Sequence, residues 1–399
     1  MKFSDRAQSI APFLAMEFGQ RAAALEAEGH RVIKLSLGEP DFGAPPQVIS
    51  AMERALRDTA MPYTSALGLP ELRQAIARYY ATTYDLEIDP ARVAVTAGAS
   101  AALLLVTAAL VNPGDEVLVG DPSYPCNRQF LASFGAQVKL VPTTSSTRYQ
   151  LDAALVRAHW SERTQGLMVA TPSNPTGTSV PASELATICE WARAQGAWRI
   201  VDEIYLGLAD VDAAGRPAQS VLSVDPGAVV ISSFSKYFGM TGWRLGWCVV
   251  PLEMAPVLER LAQNYYICPS ALAQHAALEC FNPETLAICE ARRGEFADRR
   301  SLVLQGLARI GLPVPVLPDG AFYVYFSVAH TGLSAMQFCE RALAEAHVAL
   351  TPGDDFGQCS AVDHVRLSFA ASSEELSEGL SRLERFVVRL SDRSRIVCQ

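Results

Sequence analysis

Lys236 closes the run Ser233-Phe234-Ser235-Lys236, directly after an apolar stretch at 228–232, and Arg244 follows eight residues later within Gly242-Trp243-Arg244-Leu245-Gly246-Trp247. A cation at the end of a buried strand needs an anion. Two cations and two hydroxyls near one point fit a phosphate, leaving the Lys236 amine to form an imine with a carbonyl. Taken alone, the spacing favours a plainer reading, a solvated lysine and an arginine in an ordinary ion pair.

Other segments add weight. Asp202, in Val201-Asp202-Glu203-Ile204-Tyr205, ends an apolar run. A carboxylate there can pair with a protonated ring nitrogen, or it can simply cap a helix. Tyr205 and Asn174, the latter in Ser173-Asn174-Pro175-Thr176-Gly177, can each hydrogen-bond a ring oxygen. Asn-Pro is also ordinary turn chemistry. Gly98-Ala99-Ser100 lies between a strand and a helix, where backbone N–H groups bind phosphate well.

These residues need a frame. Apolar runs at 93–97, 116–119, 137–141, 166–170, 197–201 and 228–232 read as buried strands, and helical patterns such as 100–110 and 183–194 fall between them. The alternation predicts an α/β fold, a large domain with a mostly parallel central sheet flanked by helices. Right-handed crossovers then gather the loops after the strands along one sheet edge. The last third reads as a smaller α+β domain: a helix at 284–310, strands at 321–328 and 364–369, and a helix at 334–346. The final helix opens on a capping box, Ser372 to Glu375, and carries Leu376, Leu380, Leu383, Val387 and Leu390 on one face. A strand at 32–37 is too far upstream for the main sheet and is assigned to the small domain. The expected division is 46–284 for the large cofactor-binding domain and 1–45 with 285–399 for the small one.

Composition narrows the class. The 399 residues carry a formal charge of -9, which argues against a nucleic-acid surface. Nine cysteines, none in a CxxC pair, read as reduced thiols of a cytoplasmic protein, without a disulfide framework or metal site. The N-terminal stretch lacks a secretory h-region, and no apolar run approaches the roughly 18 residues of a membrane span.

The motifs together resemble those of class I/II aminotransferases, fold type I enzymes of the aspartate aminotransferase superfamily. The lysine segment, with Gly239-Met240-Thr241-Gly242-Trp243-Arg244 behind it, looks like the family's cofactor-lysine signature. Gly38-Glu39-Pro40-Asp41-Phe42 resembles its N-terminal substrate loop, and Tyr63, ahead of Gly68-Leu69-Pro70-Glu71-Leu72-Arg73, the tyrosine that reaches the neighbouring subunit's phosphate. Asp121-Pro122-Ser123-Tyr124 resembles the loop whose aromatic stacks on the pyridine ring. Arg366, in Val365-Arg366-Leu367-Ser368-Phe369, resembles the arginine that clamps the substrate carboxylate. The likeness runs from about residue 30 to 390.

The resemblance implies a homodimeric enzyme holding pyridoxal 5'-phosphate as a Schiff base on Lys236. Its implied cofactor contacts are Gly98, Ala99, Ser100, Tyr124, Asn174, Asp202, Tyr205, Ser233, Ser235, Arg244 and, from the partner, Tyr63. Gly38, Asn174 and Arg366 would bind substrate. The implied reaction is ping-pong transfer of an amino group from an L-amino acid to a 2-oxo acid. A carbon–sulfur β-lyase or a racemase on the same cofactor is the alternative, and a non-enzymatic regulator is disfavoured by the intact lysine. Relatives that use aspartate can carry an arginine in the segment corresponding to Ile267-Cys268-Pro269-Ser270, or a lysine where this chain has Ser100; both are missing. A neutral or aromatic donor is therefore expected, with Tyr265, Tyr266, Tyr124 and Phe18 as pocket-lining candidates.

Overall fold

In the computed structural model, which describes residues 1–397, twelve strands form three sheets. In chain order they are β1 Ile33–Lys34, β2 Val93–Thr96, β3 Glu116–Asp121, β4 Gln137–Pro142, β5 Thr164–Ala170, β6 Trp198–Asp202, β7 Val229–Ser233 and β8 Gly246–Val249. They continue as β9 Tyr323–Ser327, β10 Val348–Ala349, β11 Thr351–Pro352 and β12 His364–Ser368. The largest sheet has the order β2-β8-β7-β6-β5-β3-β4. All its neighbours run parallel except β8, which is antiparallel to both β2 and β7.

The expected strands are all present, shifted by a residue or two. Their near-continuous Val/Ile character suits a sheet covered on both faces. Alternate side chains feed two cores: Val95, Leu167, Val169, Val201 and Val230 enter one, and Ala94, Val117, Met168, Ile200 and Ile231 the other. The helix Ala99–Leu110 packs into the second core through Ala102, Leu103, Leu105 and Val106. Strand β8 was not anticipated, because its first two residues, Gly246 and Trp247, were read as the end of the Gly-Trp-Arg-Leu-Gly-Trp motif.

The remaining strands form an antiparallel sheet, β11-β12-β9, and a short parallel pair, β1-β10. The helix Pro283–Ile310 starts on a side-chain cap from Asn282 and stops at Gly311 in the left-handed region (φ 82°). It packs against Ser373–Val397, with Gly306 admitting a tight contact: a Cβ there would sit 2.6 Å from Leu380. Ser372 Oγ accepts the Glu375 N–H at 3.2 Å, one of the two bonds of the expected capping box.

The strand expected at 32–37 pairs only over Ile33–Lys34. The chain stays extended beyond it, with Leu35 N–H donating to Ala349 O. The Ser36 carbonyl, however, accepts from Arg366 and Thr351 side chains instead of a ladder neighbour. Eight of the nine cysteines are free thiols and Cys398 lies outside the described residues. Among the described residues no helix is long and apolar enough to cross a membrane.

Candidate active site

A cleft of about 420 Å³ opens where the parallel strands end. Ala99 and Ser100 reach it from the first turn of the helix Ala99–Leu110, Tyr124 from the turn after β3, and Asn174 from that after β5. Asp202 and Ser233 are the last residues of β6 and β7, with Tyr205, Ser235 and Lys236 just beyond. Arg366 enters from β12, Tyr323 from β9, and Leu37 and Gly38 from the segment after β1. The sheet edge therefore gathers groups from residues 99 to 244, and the second sheet closes them in.

Lys236 sits inside this cleft, its Nζ donating to Gly38 O at 2.7 Å. Burial pulls its amine down to about 8, helped by Arg366 and Arg244 and opposed by Glu39 and Asp202. Asp202 is buried, and one oxygen accepts the Ile204 N–H at 3.0 Å. Burial pushes its carboxyl up to about 6, against that hydrogen bond and the nearby Lys236. The Tyr205 hydroxyl meets that of Tyr323 at 2.7 Å, and burial raises the Tyr205 phenol well above its ordinary value.

Arg366 is 1% exposed. Its Nη1 donates to Asn174 Oδ1 at 2.8 Å, and its Nη2 donates to Ser36 O and, at 3.2 Å, to Thr351 Oγ1. The guanidinium lies over the rings of Tyr323 and Phe356, 4.6 and 4.8 Å from their centroids. Its Nε has no partner. Among the described residues the charge meets no carboxylate in a direct contact, a costly arrangement unless an anion completes it.

A second cationic corner lies at the start of helix Ala99–Leu110. Gly98 adopts φ 88°, and a Cβ there would fall 2.5 Å from Arg244 Nη2, so the guanidinium lies against this turn. Gly246 permits the other close approach: its Cβ would be 2.8 Å from both Ala99 N and the Gly98 carbonyl carbon. Ser233 Oγ donates to Ser235 Oγ at 2.8 Å within the cleft wall. Helix-start N–H groups, two hydroxyls and a guanidinium in one place can hold a phosphate.

Of the residues singled out from sequence, the cleft brings together Gly38, Ala99, Ser100, Tyr124, Asn174, Asp202, Tyr205, Ser233, Ser235, Lys236, Arg244 and Arg366. Gly98 stands behind the Arg244 corner. Tyr63 does not line the cleft of its own chain and is 80% exposed. Among the aromatics expected to line a pocket, only Tyr124 does. Phe18 is a core residue at 1% exposure, Tyr266 packs against the core of the large sheet, and Tyr265 is exposed. Phe18 is drawn inward because helix Leu14–Ala27 buries Ala15, Phe18 and Ala22 on one face. The apolar wall is instead supplied by Phe13, Ala15, Met16 and Leu37, which sequence reasoning missed. Only Leu37 had a signal, its place beside the Gly-Glu-Pro-Asp-Phe motif.

Comparison with known proteins agrees with this geometry. The family model for aminotransferase class I and II matches residues 30–383. The valine–pyruvate aminotransferase of Mycobacterium tuberculosis is 39% identical over 375 residues, spanning 94% of this chain and 96% of that one. The arginine–pyruvate transaminase of Pseudomonas aeruginosa is 34% identical and covers 96% and 97% of the two chains. Among solved structures, an aspartate aminotransferase from Thermus thermophilus with maleate superposes with a TM-score of 0.91 at 33% identity, covering 96% of this chain and 99% of that one.

Proposed function

The chain belongs to the class I and II aminotransferases, which depend on pyridoxal 5'-phosphate, and from that premise we propose that it transfers the amino group of a neutral, apolar L-amino acid to a 2-oxo acid by a ping-pong cycle. The observation that carries the substrate class is the make-up of the cleft. Among the described residues its only cationic side chains are Lys236, Arg244 and Arg366. Arg244 belongs to the phosphate corner and Arg366 to an α-carboxylate, so no cation is left for a distal carboxylate. Phe13, Ala15, Met16 and Leu37 offer an apolar wall instead. The valine–pyruvate relative is consistent with this choice.

The cleft fits the cofactor. It has a buried amine, an isolated buried carboxylate and a cationic corner at a helix start, in a volume usual for such ligands. Bound there, pyridoxal phosphate supplies an electron sink for the substrate's α-carbon. Ser233, Ser235, Arg244 and the N–H groups of Ala99 and Ser100 would hold the phosphate, at the turn that Gly98 makes beside Arg244. Asp202 keeps a proton on the ring nitrogen, Asn174 and Tyr205 hydrogen-bond the ring oxygen, and Tyr124 packs on the ring. Lys236, the buried amine of the cleft, would tether the cofactor and would serve as the base and acid that moves the substrate Cα proton. Arg366 would hold the substrate carboxylate through its guanidinium charge, with Asn174 and Gly38 flanking it.

The exposure of Tyr63 supports a homodimer in which it serves the partner's phosphate. The free cysteines support a reducing, cytoplasmic setting. Residues 46–284 would form the large domain, and 1–45 with 285–399 the small one.

Steady-state assays with valine, alanine, methionine, phenylalanine and aspartate, against pyruvate and 2-oxoglutarate, test this reading. Apolar donors should exceed aspartate in kcat/KM by at least about tenfold, with parallel double-reciprocal lines. A preference for aspartate would refute the substrate class. Pyruvate and ammonia released without an oxo acid would turn the assignment to a lyase.

A further inference from the structure

The helix Leu14–Ala27 begins at Phe13, a residue with no side-chain oxygen to cap it. Its first N–H groups are nonetheless satisfied from far along the chain. Leu14 N–H donates to Asp355 Oδ1 at 2.9 Å and Ala15 N–H to Asp355 Oδ2 at 3.2 Å. A carboxylate is the best charge for a helix N-terminus, and this one is 3% exposed. The loop beneath it is itself held: Arg128 Nη2 donates to Asp355 O at 2.9 Å, and Ser123 N–H to Phe356 O at 2.9 Å.

The capped residues are those that face the cleft. Phe13, Ala15 and Met16 line it, and Phe13 stands edge-on to Tyr124 at 6.0 Å. Further along, the helix rests on Leu37, whose methyl carbons lie 3.8 Å from where a Cβ of Gly19 would be. Leu37 follows Ser36, whose carbonyl takes a hydrogen bond from Arg366. The apolar wall therefore adjoins the carboxylate grip. On the other side, Thr351 touches Arg366 four residues before Asp355. The short stretch from Thr351 on β11 to Asp355 contacts both the arginine and the segment that forms the wall.

We propose that Asp355 is a positioning residue for substrate choice: by capping the helix Leu14–Ala27 in trans, it holds Phe13 and Met16 against the side chain of an apolar amino donor. This rests on the aminotransferase reading of the cleft and names its specificity device. A small donor such as alanine does not reach the wall and gains nothing from it. A larger donor loses apolar contact when the wall drifts. Asparagine can still accept one of the two N–H bonds, so it should rescue in part, whereas alanine should not.

The test compares cofactor-loaded wild type, Asp355→Asn, Asp355→Ala and Phe13→Ala, with valine and alanine as donors. In Asp355→Ala, kcat/KM for valine should fall about tenfold, mostly through KM, and that for alanine by less than about threefold. Asp355→Asn should lie between, and Phe13→Ala should show the same loss of selectivity with Asp355 intact. Hydrogen exchange at residues 14–17 should quicken in Asp355→Ala, reporting the anchor without any substrate. An equal loss for both donors, or faster exchange with an unchanged valine-to-alanine ratio, would overturn the positioning role. Unchanged exchange would overturn the anchor. A wild type that prefers aspartate refutes the functional reading, and the exchange experiment still decides the anchor. Should Asp355→Ala fail to fold, Phe13→Ala and Asp355→Asn carry the comparison.

Discussion

Arg366 on β12 meets Asn174, beyond the end of β5, with Nη1 donating to Oδ1 at 2.8 Å. One hydrogen bond thus ties the small antiparallel sheet to the large one inside the cleft. It also fixes the amide of Asn174: a guanidinium only donates, so the oxygen must face Arg366 and the NH₂ is turned the other way. The arginine organises its neighbour as well as presenting its own charge.

Replacing Arg366 by lysine keeps the charge and loses the planar fork. It also leaves Asn174 Oδ1 and the Ser36 carbonyl without their donor geometry. We expect kcat/KM for any amino donor to fall by about a hundredfold or more, the cost of breaking a buried charge-assisted pair. Binding of a simple monocarboxylate inhibitor should weaken in parallel, while cofactor content stays near wild type. Undiminished inhibitor binding would place the substrate carboxylate elsewhere.

The Lys236 amine, lowered to about 8 mainly by burial, is half neutral near that pH, where an exposed lysine would be almost fully charged. Only the neutral amine is a nucleophile. The rate at which cofactor-free protein captures pyridoxal phosphate should climb from pH 6.5, pass its midpoint near pH 8 and level off above about pH 9. Glu39 holds the amine's pKa up, so Glu39→Gln should move the midpoint to lower pH. A rate still climbing toward pH 10 would show that burial does not tune this lysine. Lys236→Ala should abolish covalent capture altogether.

Much of this site was legible because its chemistry is local in sequence. Asp202 and Ser233 end buried strands, and Lys236 follows three residues on, so the α/β pattern carries them to one edge. What escaped reading depends on contacts between distant segments. Asp355 caps a helix 341 positions earlier, and no spacing rule links the two. The apolar wall escaped for the same reason: Phe13 and Phe18 share a type, and only the helix's packing sends Phe18 into the core while Phe13 meets Tyr124. Strand β8 escaped because Gly246 serves the ladder and the phosphate corner at once.

Gly98 tests that corner. At φ 88° an L-residue is strained, and a Cβ would press on Arg244 Nη2 at 2.5 Å. The guanidinium can swing away, so Gly98→Ala should fold. We expect its cofactor dissociation constant to rise about tenfold, with a melting temperature measured without cofactor only a few degrees lower. Wild-type cofactor affinity in this variant would mean that Arg244 does not need its present place.

The final prediction concerns stability below the cleft. Arg199 near the start of β6 holds Asp225 with two bonds, Nε to Oδ2 at 2.7 Å and Nη2 to Oδ1 at 2.9 Å, and both residues are buried. Asp225 also accepts from the Gly227 N–H at 3.2 Å, which fixes the turn leading into β7. Asp225→Ala leaves a guanidinium buried without its anion and should cost about 3–5 kcal/mol in urea unfolding. Removing both partners, as in Arg199→Met with Asp225→Leu, removes the stranded charge and should recover most of that loss. If the double variant were instead as unstable as the sum of the singles, the two side chains would be acting independently and the pair would carry no coupling.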